Sequence, residues 1–289
     1  MAVVLGGGNG IYLASFSSTP PVPGYDADAQ AFMTAAGITD LTQQAAINTL
    51  VVDLKGYSIW NKFKAIYPFV GGTAITHKFN LKNPLDSNAA FRLSFLGGWT
   101  HSATGAKPNG TNAYANSFLV PSFELLTDYS SLHYYSRTST TENGVGDTNG
   151  CVIGVRADVL PDVNNTNSLY VKTNPGNFTL FFSTIAGATN NYARYVEPIG
   201  TGFYSGSLTA TNSKVYKNGV NATTVNASFP RITPNLAQYI GALNNKGVSA
   251  DYSLKESAFA GIADSMSDAE VANLYTAVQA YQTTLGRNI

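Results

Sequence analysis

The segment KESAFAGIADSMSDAEVANLYTAVQAYQTTLGRNI, residues 255–289, decides the fold, because it reads as one buried strand running straight into one capped helix. Ala258, Phe259, Ala260, Gly261, Ile262 and Ala263 form an apolar run too short for a helix, fenced by Lys255-Glu256 and Asp264-Ser265. A run of this kind suits the centre of a sheet. Ser267 with Glu270 three residues later is a capping-box pattern, in which the hydroxyl accepts from a free helix-start amide and the glutamate reaches back. Val271, Leu274, Tyr275, Val278, Tyr281 and Leu285 then fall on one helical face, and Gly286 supplies a left-handed stop.

Working upstream, residues 58–263 carry a period of two. Lys62–Tyr67, His77–Lys82 and Phe91–Leu96 alternate polar with apolar residues or nearly so. Phe118–Leu126, Ser131–Thr138, Cys151–Arg156, Ser168–Lys172, Phe178–Ser183, Gly202–Thr209, Ser213–Tyr216 and Tyr239–Leu243 continue the series between clusters of Asn, Gly, Pro, Ser and Thr. Short strands at this spacing predict a sandwich of two antiparallel sheets. Asn218-Gly219 between Lys217 and Val220 is the clearest turn, since both residues accept the positive φ that a type I′ hairpin demands.

The first 56 residues read differently. Asp26 caps a short helix bearing Ala29, Phe32, Met33 and Ala36 and stopped by Gly37; Asp40 caps a second bearing Ile47, Leu50, Val51 and Leu54. Faces this small must pack on the sandwich. Residues 1–25 combine an apolar patch, Ile11, Tyr12, Leu13 and Phe16, with Pro20-Pro21-Val22-Pro23, which holds an extended backbone. The expected organisation is an N-terminal arm over 1–25 for attachment, a helical hairpin over 26–56, and a β-sandwich with its C-terminal helix over 57–289.

Only 12% of the 289 residues are charged and the net charge is zero, so the counterion-release term behind nucleic-acid binding is missing. The surface is instead Asn-, Thr- and Tyr-rich. No run of about 18 apolar residues predicts a membrane span. Cys151 is the single cysteine, flanked by Val152 and Ile153, and reads as a buried thiol.

Two resemblances follow from these blocks. The order Lys214-Val215-Tyr216-Lys217-Asn218-Gly219-Val220, Tyr239-Ile240-Gly241-Ala242-Leu243-Asn244, the apolar strand and Ser267-Asp268-Ala269-Glu270-Val271 resembles the second half of a concanavalin A-like, laminin-G-type jelly roll over residues 200–286. The blocks Asp26–Leu54, Trp60, Tyr67–Gly72, His77–Leu81, Gly97–His101 and Asn109–Asn112 are similar to structural proteins of tailed and related bacteriophages. That second resemblance implies a virion surface protein, a spike, head fibre, tail fibre or decoration protein, made in the host cytoplasm. It would join other virion proteins through the arm and assemble as a homo-oligomer, with a trimer as the expectation.

The concanavalin A-like family includes glycosidases whose carboxylates alternate on one strand as Glu-x-Asp-x-x-Glu. This chain lacks the pattern. Its carboxylate pairs two residues apart, Asp26 with Asp28 and Asp268 with Glu270, sit at helix starts where negative charge favours the dipole. We therefore expect no catalytic residues and no enzyme, with a glycan-degrading hydrolase of the same fold or a purely architectural capsid or tail component as the alternatives. His77, His101 and His133 have no zinc spacing and read as structural. Glu142 and Asp147 are the candidates for calcium, the metal common in this family, but their loop fits no calcium-ligand spacing, and a solvated turn is the adopted reading. For host-surface glycan, the candidates are Trp99 and His101, the loop residues Asn109, Asn112 and Tyr114, and the group Tyr134, Tyr135 and Arg137, because aromatic faces stack on sugars and amides exchange hydrogen bonds with hydroxyls.

Overall fold

The computed structural model describes residues 24–125, 129–139, 150–159, 162–173, 177–184, 192–227 and 234–289. The arm residues Ile11, Tyr12, Leu13 and Phe16 and the calcium candidates Glu142 and Asp147 lie outside these. Five helices are present among the described residues: α1 (Ala27–Ala36), α2 (Leu41–Gly56), α3 (Ala74–His77), α4 (Pro121–Glu124) and α5 (Asp268–Thr284). The strands are β1 (Phe63–Tyr67), β2 (Ser94–Leu96), β3 (Trp99–Ser102), β4 (Gly105–Pro108), β5 (Tyr114–Asn116), β6 (Ser130–Ser136), β7 (Cys151–Val159), β8 (Asp162–Thr173), β9 (Phe178–Thr184), β10 (Tyr192–Val196), β11 (Gly202–Leu208), β12 (Asn212–Lys217), β13 (Val220–Asn226), β14 (Tyr239–Ile240), β15 (Leu243–Asn245), β16 (Val248–Ala250) and β17 (Ser257–Asp264).

They form two sheets. The first runs β13-β12-β11-β6-β17-β4-β3, with β1 also against β17; the second runs β10-β9-β8-β7-β14-β5-β2, with the β15–β16 hairpin against β7. All pairings are antiparallel except β15 with β7. The expected fold class, a mainly β jelly-roll sandwich preceded by a helical hairpin and closed by a C-terminal helix, is the one observed.

Alternation along the strands divides the interior into two cores. Leu132, Tyr134, Ile153, Leu169, Phe181, Tyr204, Ile240 and Ile262 point between the sheets. Their neighbours Tyr135, Phe203, Tyr216 and Phe259 point the other way, onto a second core shared with Phe32, Ile47, Leu50 and Leu54 of the hairpin and Val271, Leu274, Val278 and Tyr281 of α5. Each such side chain contributes about 1.5–3 kcal/mol relative to exposure, so the hairpin and α5 are bound to the outer face of the first sheet. Among the described residues no helix packs on the outer face of the second sheet. A small cluster there joins Cys151, Tyr170 and Leu243, the last carried by β15 where it pairs with β7.

The caps take their expected forms. Ser267 and Glu270 make the reciprocal capping box, and Asp26 and Asp40 accept from the amides of Asp28 and Gln43. Gly37 and Gly286 are left-handed, and Asn218 and Gly219 both take positive φ, as the type I′ reading requires.

Two expected strands are absent. His77–Lys82 alternates, yet Asn80 is fully buried and its side chain replaces a ladder: Oδ1 accepts from Ile66 and Lys82 N–H, and Nδ2 donates to Lys64 and Ala90 C=O. Phe118–Leu126 instead contains the short α4, with Pro121 at its first turn.

Candidate functional site

Helices cover the first sheet, so the accessible sheet surface belongs to the second, and lateral register shows which residues face outward there. Ile153, Ile240 and Ala115 pair across β7, β14 and β5 and are buried between the sheets. Their neighbours one residue away therefore point out: Tyr239 on β14, Tyr114 and Asn116 on β5, and Ser94 and Leu96 on β2. Tyr114 and Tyr239 stack at 4.6 Å between ring centroids and 24° between planes. Both are half-exposed, and partial burial together with the neighbouring phenol holds the Tyr239 hydroxyl protonated beyond its ordinary range. The pair forms a rigid aromatic shelf with the Asn116 amide beside it, since Asn116 pairs with Tyr239 across the ladder.

Behind the shelf, Phe95, Trp99 and His101 close the edge between the sheets. Trp99 donates from Nε1 to the Leu96 and Tyr114 carbonyls, at 3.1 and 3.3 Å, and stacks on His101 at 6.2 Å and 26°. The far edge of its ring rests on Gly241, where a side chain would overlap it. Trp99 is thus a half-exposed wall that fixes the Tyr114 backbone. His101 meets His77 through their Nδ1 atoms at 3.0 Å. His77 is buried and its Nε2 has no partner, so the proton belongs on His77 Nδ1, the arrangement that avoids a buried unpaired N–H. That leaves His101 with its own proton on Nε2. Burial, then His101 and Arg287, push His77 down to about 3, and burial lowers His101 as well. The histidines scattered in sequence include one contact pair; no group of three metal-ligating side chains occurs among the described residues.

The other sequence candidates have structural posts. Asn109 accepts from the amides of Thr111, Asn112 and Ala113, and donates to Asn112, which accepts from Gly98 N–H. Both amide oxygens and the Asn109 nitrogen are engaged in the turn between β4 and β5. Tyr134 and Tyr135 are fully buried, one in each core, with hydroxyls bonded to Lys255 O and to Gln279 and Ile289, so as glycan contacts they are corrected to core residues. Arg137 donates to Arg287 O and faces Glu256 at 3.7 Å, which corrects it to a fastener for the chain's C-terminal end. Trp60 is 7% exposed beneath Lys82, whose ammonium lies 3.8 Å from its ring centroid. Of the glycan candidates Tyr114 keeps an open aromatic face. Sequence reading missed its partner Tyr239, although that residue begins a strand where the alternation puts it opposite the apolar Ile240.

No family model and no curated protein sequence matches the chain. Among solved structures it is similar to domain 4 of AbnA, a GH43 extracellular arabinanase from Geobacillus stearothermophilus in complex with arabinotriose, at 17% identity over 74% of this chain and 98% of that one, with a TM-score of 0.41. The CBM40 of the Ruminococcus gnavus IT-sialidase matches at 19% identity, 52% of this chain, 84% of that one and a TM-score of 0.39. A Trypanosoma rangeli sialidase mutant displaying trans-sialidase activity matches at 10% identity and a TM-score of 0.46, over 84% of this chain and 39% of that one. The last value means that the chain spans well under half the sialidase's length.

The expectation that the chain is not an enzyme is corrected by these findings, since the similar structures include an arabinanase domain and sialidases. The physical weakness of that expectation lay in its ground. A missing Glu-x-Asp-x-x-Glu pattern excludes one way of pairing carboxylates along a strand, whereas groups from distant segments can meet in space.

Proposed function

We propose that this sandwich recognises carbohydrate on the helix-free face of its second sheet, with Tyr114 and Tyr239 as the stacking shelf. The observation that carries the reading is the half-exposed aromatic pair at 4.6 Å, held on adjacent strands and backed by the Trp99 wall. Ring faces cover the apolar face of a pyranose, while Asn116 and neighbouring hydroxyl side chains exchange hydrogen bonds with its edge. Shallow contacts of this kind are individually weak, so display in several copies suits them.

The sequence resemblance supports a setting for this role, exposure on a bacteriophage particle with residues 1–25 as the attachment segment. Immunogold labelling of purified particles with antibody against residues 57–289 tests the setting; absence of label and of the protein by mass spectrometry removes it. Binding is tested on a glycan array with the wild type, Tyr114→Ala and Tyr239→Ala. We expect either substitution to weaken binding about five- to tenfold, from loss of an aromatic contact worth about 1–1.4 kcal/mol. Unchanged binding in both variants refutes the shelf. Release of reducing ends from a bound polysaccharide would assign hydrolysis in addition to binding.

A further inference from the structure

The same outer face carries a second aromatic group at its opposite edge. Tyr192, Arg194 and Val196 alternate on the edge strand β10 while Ala193 points into the core, and Phe178 and Leu180 stand beside them on β9. The Arg194 guanidinium lies 4.9 Å from the Phe178 ring centroid and 5.9 Å from that of Tyr192. Arg194 is exposed, the two rings half-exposed. None of the ion pairs among the described residues includes it. Glu197, the nearest acid in sequence, is buried and spent: it accepts from Tyr195 OH and from the amides of Ile199 and Gly200, and pairs with Lys217 at 3.6 Å.

A guanidinium held between two rings keeps its in-plane N–H groups directed away from them, and a planar fork of donors matches a carboxylate. Among the described residues most charges are paired, whereas Arg194 makes no ion pair and is flanked by sugar-stacking rings. We propose that Phe178, Arg194 and Tyr192 form a second subsite that takes the carboxylate of an acidic sugar residue. The site rests on the glycan reading above and deepens it, from carbohydrate in general to carboxylated glycan. Its place fits an extended ligand: Tyr192 is joined to Tyr239 through the register Phe182, Ser168, Gly154, four strand spacings or about 19 Å across one face. One chain of several sugars, passing over the Cys151, Tyr170 and Leu243 cluster, reaches both groups.

The test uses ligand pairs that differ in the carboxylate: polygalacturonate against its methyl ester, and sialyllactose against lactose. Each is titrated with the full chain, Arg194→Ala, Arg194→Lys and Tyr239→Ala, melting temperatures being compared first, since replacing an exposed side chain should leave them unchanged. We expect at least one acidic ligand to bind about tenfold or more tighter than its neutral partner, the span of a hydrogen-bonded charge. Arg194→Ala should erase that preference and leave the neutral ligand's affinity intact, and Arg194→Lys should restore only part of it. The preference should also fall as salt rises from 20 to about 500 mM, because an exposed charge is screened. A preference that survives in Arg194→Ala overturns the subsite. So does an equal affinity for acid and neutral partners when Tyr239→Ala still weakens both, a result that leaves the shelf standing. Absence of binding to every glycan in the wild type removes both.

Discussion

Replacing Arg287 should unfasten the C-terminal helix from the sandwich. The side chain is 2% exposed, two residues before Ile289, and surrounded by acceptors. Nε donates to Gln282 Oε1 at 2.6 Å, Nη1 to Phe69 O at 2.7 Å, and Nη2 to Pro68 O and Ala258 O at 2.8 and 2.9 Å. One group thus ties the segment after β1, the strand β17 and the last turn of α5. Each charge-assisted bond is worth about 1.5–3 kcal/mol, but the four are not additive, because water entering the vacated space would satisfy some carbonyls. Unsatisfied buried acceptors cost about 1–3 kcal/mol each, and with water serving some of them a total loss of about 3–5 kcal/mol is expected for Arg287→Ala. At roughly 2 °C per kcal/mol for a domain of this size, the melting temperature should drop by about 6–10 °C. Arg287→Lys, which keeps the charge but not the fork, should fall between. Calorimetry with circular dichroism reads both. A shift below about 2 °C in Arg287→Ala would show that the carbonyls are as well served by water, and the fastening role would be refuted.

Stability should also depend on pH through buried imidazoles. His133 is buried between Ser131 and Ser205 hydroxyls, at 2.9 and 2.8 Å, and burial pushes it down to about 3, as it does His77. Unfolded, both take protons near 6.5, so the unfolded state binds more protons between about 3 and 6.5; stability is flat above that window and falls as pH drops through it, by up to about 1.4 kcal/mol per unit for each imidazole. His133→Gln should flatten the fall in melting temperature between pH 6.5 and 4, and an undiminished slope counts against the assignment. Asn80→Ala removes four hydrogen bonds from a fully buried site and should cost about 2–4 kcal/mol by urea denaturation, whereas a cost under about 1 kcal/mol would deny Asn80 its bracing role. Gly97→Ala should lower soluble yield and melting temperature, because φ is +74° and a Cβ there would overlap the Asn112 carbonyl; an unaltered melting curve would contradict this.

What the sequence made legible was local. The Ser267–Glu270 box, the Asn218-Gly219 turn and the apolar run at Ala258–Ala263 each state their conformation within a few residues, and each was found in place. His77–Lys82 misled because its alternation is real, while the partner that would have made it a strand is replaced by one amide side chain. Asn109, Asn112 and Tyr114 read as loop residues because β4 and β5 are only four and three residues long, too short for a period to show. Tyr134 and Tyr135 show a deeper limit. Adjacent tyrosines on a strand point to opposite faces, which suggests that one is exposed; here both faces of the first sheet are buried, one by the second sheet and one by helices from the two ends of the described chain. No spacing in the strand itself announces that second cover.

That cover also explains where function can reside. A sandwich ordinarily offers two outer faces, and the apolar residues of the first one, Phe203, Tyr216 and Phe259, would make a broad greasy patch if the helices were absent. Covering it with α1, α2 and α5 leaves the second sheet, on which the Cys151, Tyr170 and Leu243 cluster fills the centre. Two aromatic groups remain at its flanks, one uncharged and one built around Arg194. A compact ligand would touch either of them alone, whereas an extended chain would engage both and gain the effective concentration of a linked second contact. Longer oligosaccharides should therefore bind more tightly than their component sugars, up to a length that spans about 19 Å, and gain little beyond it. An affinity that does not change with length would mean that the two flanks act as separate sites.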